Sequence, residues 1–123
     1  MTDDLETIRR ALAEVWATQG RKFVTFEPAA APGTGPDRWV QYLDGEVNAS
    51  WPLDEEPAVA LARRGVTLPT GAFVAWHTAG SNAAFAMSDA GLDDVARFIA
   101  ALFARVLVGG GAAPLAARID DHR

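Results

Sequence analysis

The stretch RWVQYLDGEVNASW, residues 38–51, sets Asp44-Gly45 between two runs in which apolar residues alternate with polar ones. Asp-Gly is a favoured pair for a two-residue type I′ turn, because both turn positions need a positive φ. With Asp44 and Gly45 as the loop, Leu43 faces Glu46 and Tyr42 faces Val47. Gln41 then faces Asn48, Val40 faces Ala49 and Trp39 faces Ser50. Side chains alternate across a strand. One face therefore carries Val40, Tyr42, Val47, Ala49 and Trp51, and is the core face. The other carries Trp39, Gln41, Leu43, Glu46, Asn48 and Ser50, and is polar except for Trp39 and Leu43.

Upstream, Lys22–Glu27 is short and β-rich and predicts a strand. PAAAPGTGP, residues 28–36, has three prolines and two glycines in nine residues, so it predicts a loop. It lacks the Lys of a phosphate-binding loop. Leu5, Ile8, Leu12, Val15 and Trp16 recur at helical spacing and predict a helix over 3–19. Asp3 with Glu6 resembles a capping box, and Gly20 is a C-terminal stop.

Downstream, Asp54 is the expected N-cap of a short helix ending at Gly65, with Glu55 and Glu56 in its first turn. Residues 72–78 and 82–88 predict a second hairpin around Gly80. In regular alternation Val74 and Trp76 share a face with Ala83, Phe85 and Met87. Phe73, Ala75, His77, Ala84 and Ala86 take the opposite face. Ser88 or Asp89 is the expected cap of a final helix over 89–108, whose apolar stripe is Leu92, Val95, Ile99, Leu102, Phe103 and Val106. GGGAAP, 109–114, is a flexible break, and the last nine residues are expected to be mobile or a short docked helix.

The prediction is an α+β domain over 1–108, in the order α-β-β-β-α-β-β-α. Its five-stranded antiparallel sheet is packed on one face by the N- and C-terminal helices, with 109–123 as a tail. A chain of 123 residues can bury such a core without a covalent staple. Its composition, 50% hydrophobic and 22% charged, is that of a globular protein.

Composition also excludes functions. The absence of cysteine removes disulfides, thiolate metal sites and a Cys nucleophile. A net charge of −5 argues against nucleic acid as a partner, since that needs a basic stripe. The only local basic cluster, Arg9, Arg10, Arg21 and Lys22, is expected near the end of the first helix, where positive charge suits the dipole. No apolar run reaches membrane-spanning length. The opening MTDDLETIRR has neither the basic start nor the apolar run of a signal peptide, so a cytoplasmic protein is expected. In that setting the sequon Asn48-Ala49-Ser50 is simply part of the hairpin.

The blocks YLDGEVNASWPLDEEPAVALARRGVTLP (42–69) and AFVAWHTAGSNAAFAMS (72–88), followed by a long final helix, resemble the type III secretion chaperone-like fold, and within it the YbjN-like branch. Pro52-Leu53, Leu61 and Gly65-Val-Thr-Leu-Pro69 stand where that family has its helix and connector. Val66 occupies the place after the glycine often held by an aromatic residue. The resemblance implies a small, acidic, non-enzymatic domain, often a homodimer, that holds another polypeptide. It implies no cofactor and no catalytic residue.

Residues suited to chemistry are few. His122 lies beside Asp120 and Asp121 in the tail, where a chain end lacks the fixed geometry of a metal site. His77, next to Trp76, has the chemistry of a general base but no recognisable nucleophile or orienting acid beside it. The carboxylates at 54–56 and at 89, 93 and 94 fit helix starts. Trp16, Trp51 and Trp76 are expected in the core. Trp39, Leu43, Phe73, Ala75, His77 and Ala84 form the candidate interface with a second copy or another protein, because aromatic residues on a polar sheet face are enriched at interfaces. The alternative is a small-molecule-binding protein or enzyme with a pocket near His77.

Overall fold

The computed structural model describes residues 4–28, 38–107 and 115–122. The elements are α1 (Asp4–Trp16), β1 (Lys22–Pro28), β2 (Val40–Leu43), β3 (Glu46–Ser50), α2 (Pro57–Arg63), β4 (Phe73–Thr78), β5 (Asn82–Ala86), α3 (Leu92–Ala101) and β6 (Leu115–Asp121). A π-helical turn, Leu102–Val106, continues α3. The strands form one antiparallel sheet in the order β4-β5-β3-β2-β1-β6.

The central hairpin has the register its turn demands: Leu43 opposite Glu46, Tyr42 opposite Val47, Gln41 opposite Asn48 and Val40 opposite Ala49. Asp44 and Gly45 both take positive φ, 42° and 85°. Pairing carries this phase across the sheet. Val24, Tyr42, Val47, Phe85 and Val74 form one inward row, and Phe26, Val40, Ala49 and Ala83 the next. Helices cover this inner face. α1 packs over β1 and β6 and alongside α3, and α2 adjoins β4. Phe98 of α3 meets Phe85 edge to face with ring centres 5.1 Å apart, and Phe85 meets Trp51 at 6.3 Å. Trp51, Phe26, Phe85, Ile8 and Leu12 are fully buried, each contributing about 1.5–3 kcal/mol by removal from water.

The sheet has six strands among the described residues, not the predicted five, because the expected mobile tail supplies β6. β6 pairs with β1 along its whole length, from Leu115 opposite Pro28 to Asp121 opposite Lys22. Leu115 is buried, and Ile119 packs against the core. The Leu115 amide also donates to Asp4 Oδ1 at 3.2 Å, tying the strand to the start of α1. The Gly-rich break itself, most of the 28–36 loop and the expected capping residue Asp3 lie outside the described residues.

Helix ends differ from the predicted ones. α1 stops at Trp16 and unwinds through turns to Gly20 at φ 90°. Of the basic cluster expected at the helix end, Arg21 lies beyond it, where its Nε donates to the Thr18 carbonyl, whereas Arg9 and Arg10 lie mid-helix and the last turn of α1 carries no basic residue. Glu56, not Asp54, stands at the N-cap of α2, with Pro57 at the first helical position and no side-chain cap. α3 begins at Leu92 with Gly91 at the cap, because Ser88 and Asp89 belong to the turn that leaves β5. Asp93 instead pairs with Arg9 of α1 at 2.6 Å and with Arg97 at 3.0 Å, linking the two helices.

Gly45→Ala is expected to destabilise the fold by about 1–2 kcal/mol from the positive φ alone. A Cβ there also comes within 3.3 Å of the Ser88 backbone. Urea denaturation measures the loss, which should appear as a lower midpoint with an unchanged slope.

Glu55 clamps the far end of α2 through Arg63 at 2.7 Å and Arg64 at 3.2 Å. Desolvation pushes its carboxyl upward. The hydrogen bonds from Arg63 and Arg64 and the charge of both guanidiniums outweigh this, so the group sits below the usual carboxylate range. A depressed folded pKa contributes stability above the unfolded pKa, and the contribution is lost as pH falls through the folded value. A carboxyl-detected NMR titration should find Glu55 titrating higher in Arg63→Ala/Arg64→Ala than in the wild-type chain.

Candidate functional site

Among the described residues, no layer of helix lies on the other face of the sheet. Its central row reads Trp76, Ala84, Asn48, Gln41, Thr25 and Arg118 from β4 to β6. The middle of this face is polar and internally bonded. Gln41 donates to Thr25 Oγ1 at 3.0 Å, and Asn82 donates to Asn48 Oδ1 at 3.2 Å. Water-facing sheet surfaces ordinarily look like this.

The β4 end is different. Phe73 is 60% exposed and Trp76 47% exposed. Phe73 stands opposite Ala86 and Trp76 opposite Ala84. Two large rings on the edge strand thus form a step beside the alanines of the next strand, of which Ala84 is fully covered.

This arrangement depends on an irregularity that alternation alone does not reveal. Between Val74 and Trp76 the register shifts, leaving Ala75 as an extra, exposed residue. Such a bulge reverses the faces of the residues after it. Trp76, expected in the core, therefore lies on the open face opposite Ala84. His77, expected on the open face, lies opposite Ala83 on the helix-covered side. His77 Nε2 is buried and has no hydrogen-bond partner.

The remaining candidates keep their places. Leu43 and Ala84 lie on the open face, Ala84 buried and Leu43 partly so. Trp39 is also only partly exposed, and it is held to β3. Its amide donates to Ser50 Oγ at 3.0 Å, and its carbonyl accepts from the Ser50 amide at 2.9 Å. Phe73, Leu43 and Ala84 thus share the open face with Trp76, while His77 leaves the group. The aromatic residue that sequence reasoning missed is Trp76.

A second aromatic feature lies at the end of α1. Trp16, expected in the core, is 36% exposed and stacks on Tyr42, with centres 5.3 Å apart and planes 5° from parallel. A cleft of about 290 Å³ runs past them, lined also by Gln19, Gly20 and Asp44. A neighbouring cleft of about 240 Å³ is lined by Leu43, Glu46 and His122 together with Gly20 and Asp44. Neither is lined by His77. Burial pushes the Tyr42 phenol up, the Asp44 charge adds to this, and the hydrogen bond with the Gly45 amide opposes it.

The tail residues Asp120, Asp121 and His122 do not converge. They occupy successive positions at the end of an extended strand, and Asp120 pairs with Arg118 at 3.1 Å. No group of three or more His, Asp or Glu among the described residues is placed to hold a metal ion. No helix among them is long and apolar enough to cross a membrane.

A buried polar atom without a partner costs stability. His77→Leu is therefore expected to stabilise the chain by about 1 kcal/mol or more, read from the shift in the chemical denaturation midpoint.

Comparison with protein-family models, with curated proteins and with solved structures finds no match to this chain.

Proposed function

We propose that the chain is a non-catalytic, chaperone-like protein-binding module. It holds an apolar segment of another polypeptide on the open face of its sheet, at the β4 end. The observation that carries this reading is the pair Phe73 and Trp76, 60% and 47% exposed on one face of an edge strand beside Ala86 and Ala84. Val59 and Trp16 are exposed elsewhere, at 49% and 36%, but Phe73 and Trp76 are two large rings left in water on one strand, and apolar residues grouped in this way mark an interaction surface. Aromatic residues of this kind dominate binding energy when a partner desolvates them.

The test is suppression of aggregation of a thermally unfolded model polypeptide, followed by light scattering. The wild-type chain is expected to suppress it near equimolar ratio. Phe73→Ser/Trp76→Ser is expected to lose the effect while remaining folded by circular dichroism, because neither ring belongs to the buried core. Equal behaviour of the two proteins overturns the reading.

The unpartnered Nε2 of His77 favours a second reading, a small-molecule-binding protein. A compound that raises the melting temperature of the wild-type chain but not of His77→Leu would support it.

A further inference from the structure

The sheet ends on its other side at β6, and no described element lies beyond that strand. Its backbone phase can be read from one hydrogen bond. The His122 amide donates to the Arg21 carbonyl at 2.8 Å, so this pair is a hydrogen-bonded one. In an antiparallel ladder, hydrogen-bonded and non-bonded pairs alternate. Asp120, Arg118 and Ala116 therefore direct their backbone groups at β1, opposite Phe23, Thr25 and Glu27. Leu115, Ala117, Ile119 and Asp121 direct theirs outward. Two details agree with this phase. Pro28, which has no N–H, stands opposite Leu115, and the outward Leu115 amide is the one taken by Asp4. From Ala117 to Asp121 the edge has no register shift, whereas β4 has its bulge.

We infer that β6 is a self-complementary edge, and that a second copy of this chain adds to it antiparallel, Ile119 against Ile119, to make one continuous sheet. Charge selects the partner and the register. Two such edges can pair only through their outward residues, which leaves registers two residues apart. Ile119 centred on its own copy places Arg118 of each chain opposite Asp120 of the other. A register centred on Arg118 sets Arg118 against Arg118, and one centred on Asp120 sets Asp120 against Asp120. Like charges directly opposite destabilise a strand pair, and unlike charges stabilise it.

The favoured register also pairs Ala117 with Asp121 at both ends, and so uses all the outward groups from Ala117 to Asp121. Arg118 and Asp120 fall in the non-hydrogen-bonded pairs, where Cα atoms are closest, at about 4.5 Å. Both side chains are open to the exchange, at 63% and 45% exposure. Within one chain Arg118 already reaches Asp120 at 3.1 Å and Glu27 at 3.8 Å, so the same charges are shared across the new pair. Residues directly opposite share a face, so the helices of both copies lie on one side. α1, which packs over β6, then comes beside its counterpart. The surface is separate from the Phe73 and Trp76 step, which lies at the opposite edge, and the inference stands without that reading.

Sedimentation equilibrium over a hundredfold concentration range tests it. The wild-type chain is expected to dimerise. Arg118→Asp and Asp120→Arg are each expected to weaken the dimer about tenfold or more, since each places like charges opposite one another twice. The double exchange Arg118→Asp/Asp120→Arg restores the opposition of unlike charges and should recover the dimer. Ala117→Pro removes only an outward N–H, which an edge strand tolerates, and should give a folded monomer by circular dichroism. Phe73→Ser/Trp76→Ser should dimerise as the wild-type chain does. A wild-type monomer throughout the range, failure of the folded double exchange to recover the dimer, or a dimer of undiminished strength in Ala117→Pro overturns the inference.

Discussion

Asp44 and Gly45 can close a two-residue turn only because both accept a positive φ, and that turn allows one register between β2 and β3. A slip by one residue would turn Val40, Tyr42, Val47 and Ala49 out of the core together. The turn also holds the neighbours in phase. The Gly45 carbonyl accepts the Met87 amide at 2.6 Å, joining the turn to the end of β5, and its amide donates to the Tyr42 hydroxyl at 3.0 Å. From this point the inward rows extend to Val24 on one side and Phe85 on the other. The helices have a single apolar face to cover, and the opposite face is left for other uses.

Where period and turn chemistry agree, the fold was legible in the sequence. The central hairpin, the strand before it, the second hairpin and the three helices all show in the spacing of apolar residues. The bulge at Ala75 did not show. Val74, Ala75, Trp76 and His77 contain no glycine or proline to mark an interruption, and regular alternation gave a plausible core tryptophan. Only the pairing with β5 reveals the extra residue, and it exchanges the faces of Trp76 and His77. Phe73, which precedes the irregularity, was placed correctly.

β6 escaped for a related reason. Leu115, Ala117 and Ile119 do alternate, but Ala116, Arg118, Asp120 and Asp121 make the segment look like a solvated tail after a Gly-rich break. That composition is what an edge strand with one water-facing side requires. The two edges of the sheet resist unwanted pairing by different means. β4 has a bulge that interrupts its ladder, and carries its rings on the open face. β6 has an uninterrupted ladder and relies on charge. A bulged edge tolerates apolar residues that an uninterrupted one would turn into an aggregation site. A charged edge excludes strands whose charges do not match its own.

The hydrogen bond between Leu115 and Asp4 spans 111 residues of sequence, and the β1–β6 ladder closes almost as long a loop. During synthesis on the ribosome, β1 emerges well before the strand that pairs with its outer side, Leu115–Asp121, has been made. Until then β1 has β2 as its strand partner and α1 packed over it. Contacts this distant in sequence form slowly, because loop-closure entropy must be met before they contribute. Leu115–Asp121 therefore completes the sheet after the other described strands have been made, so a ribosome that stalls or terminates before Leu115 releases a chain with β1 as a bare, apolar edge.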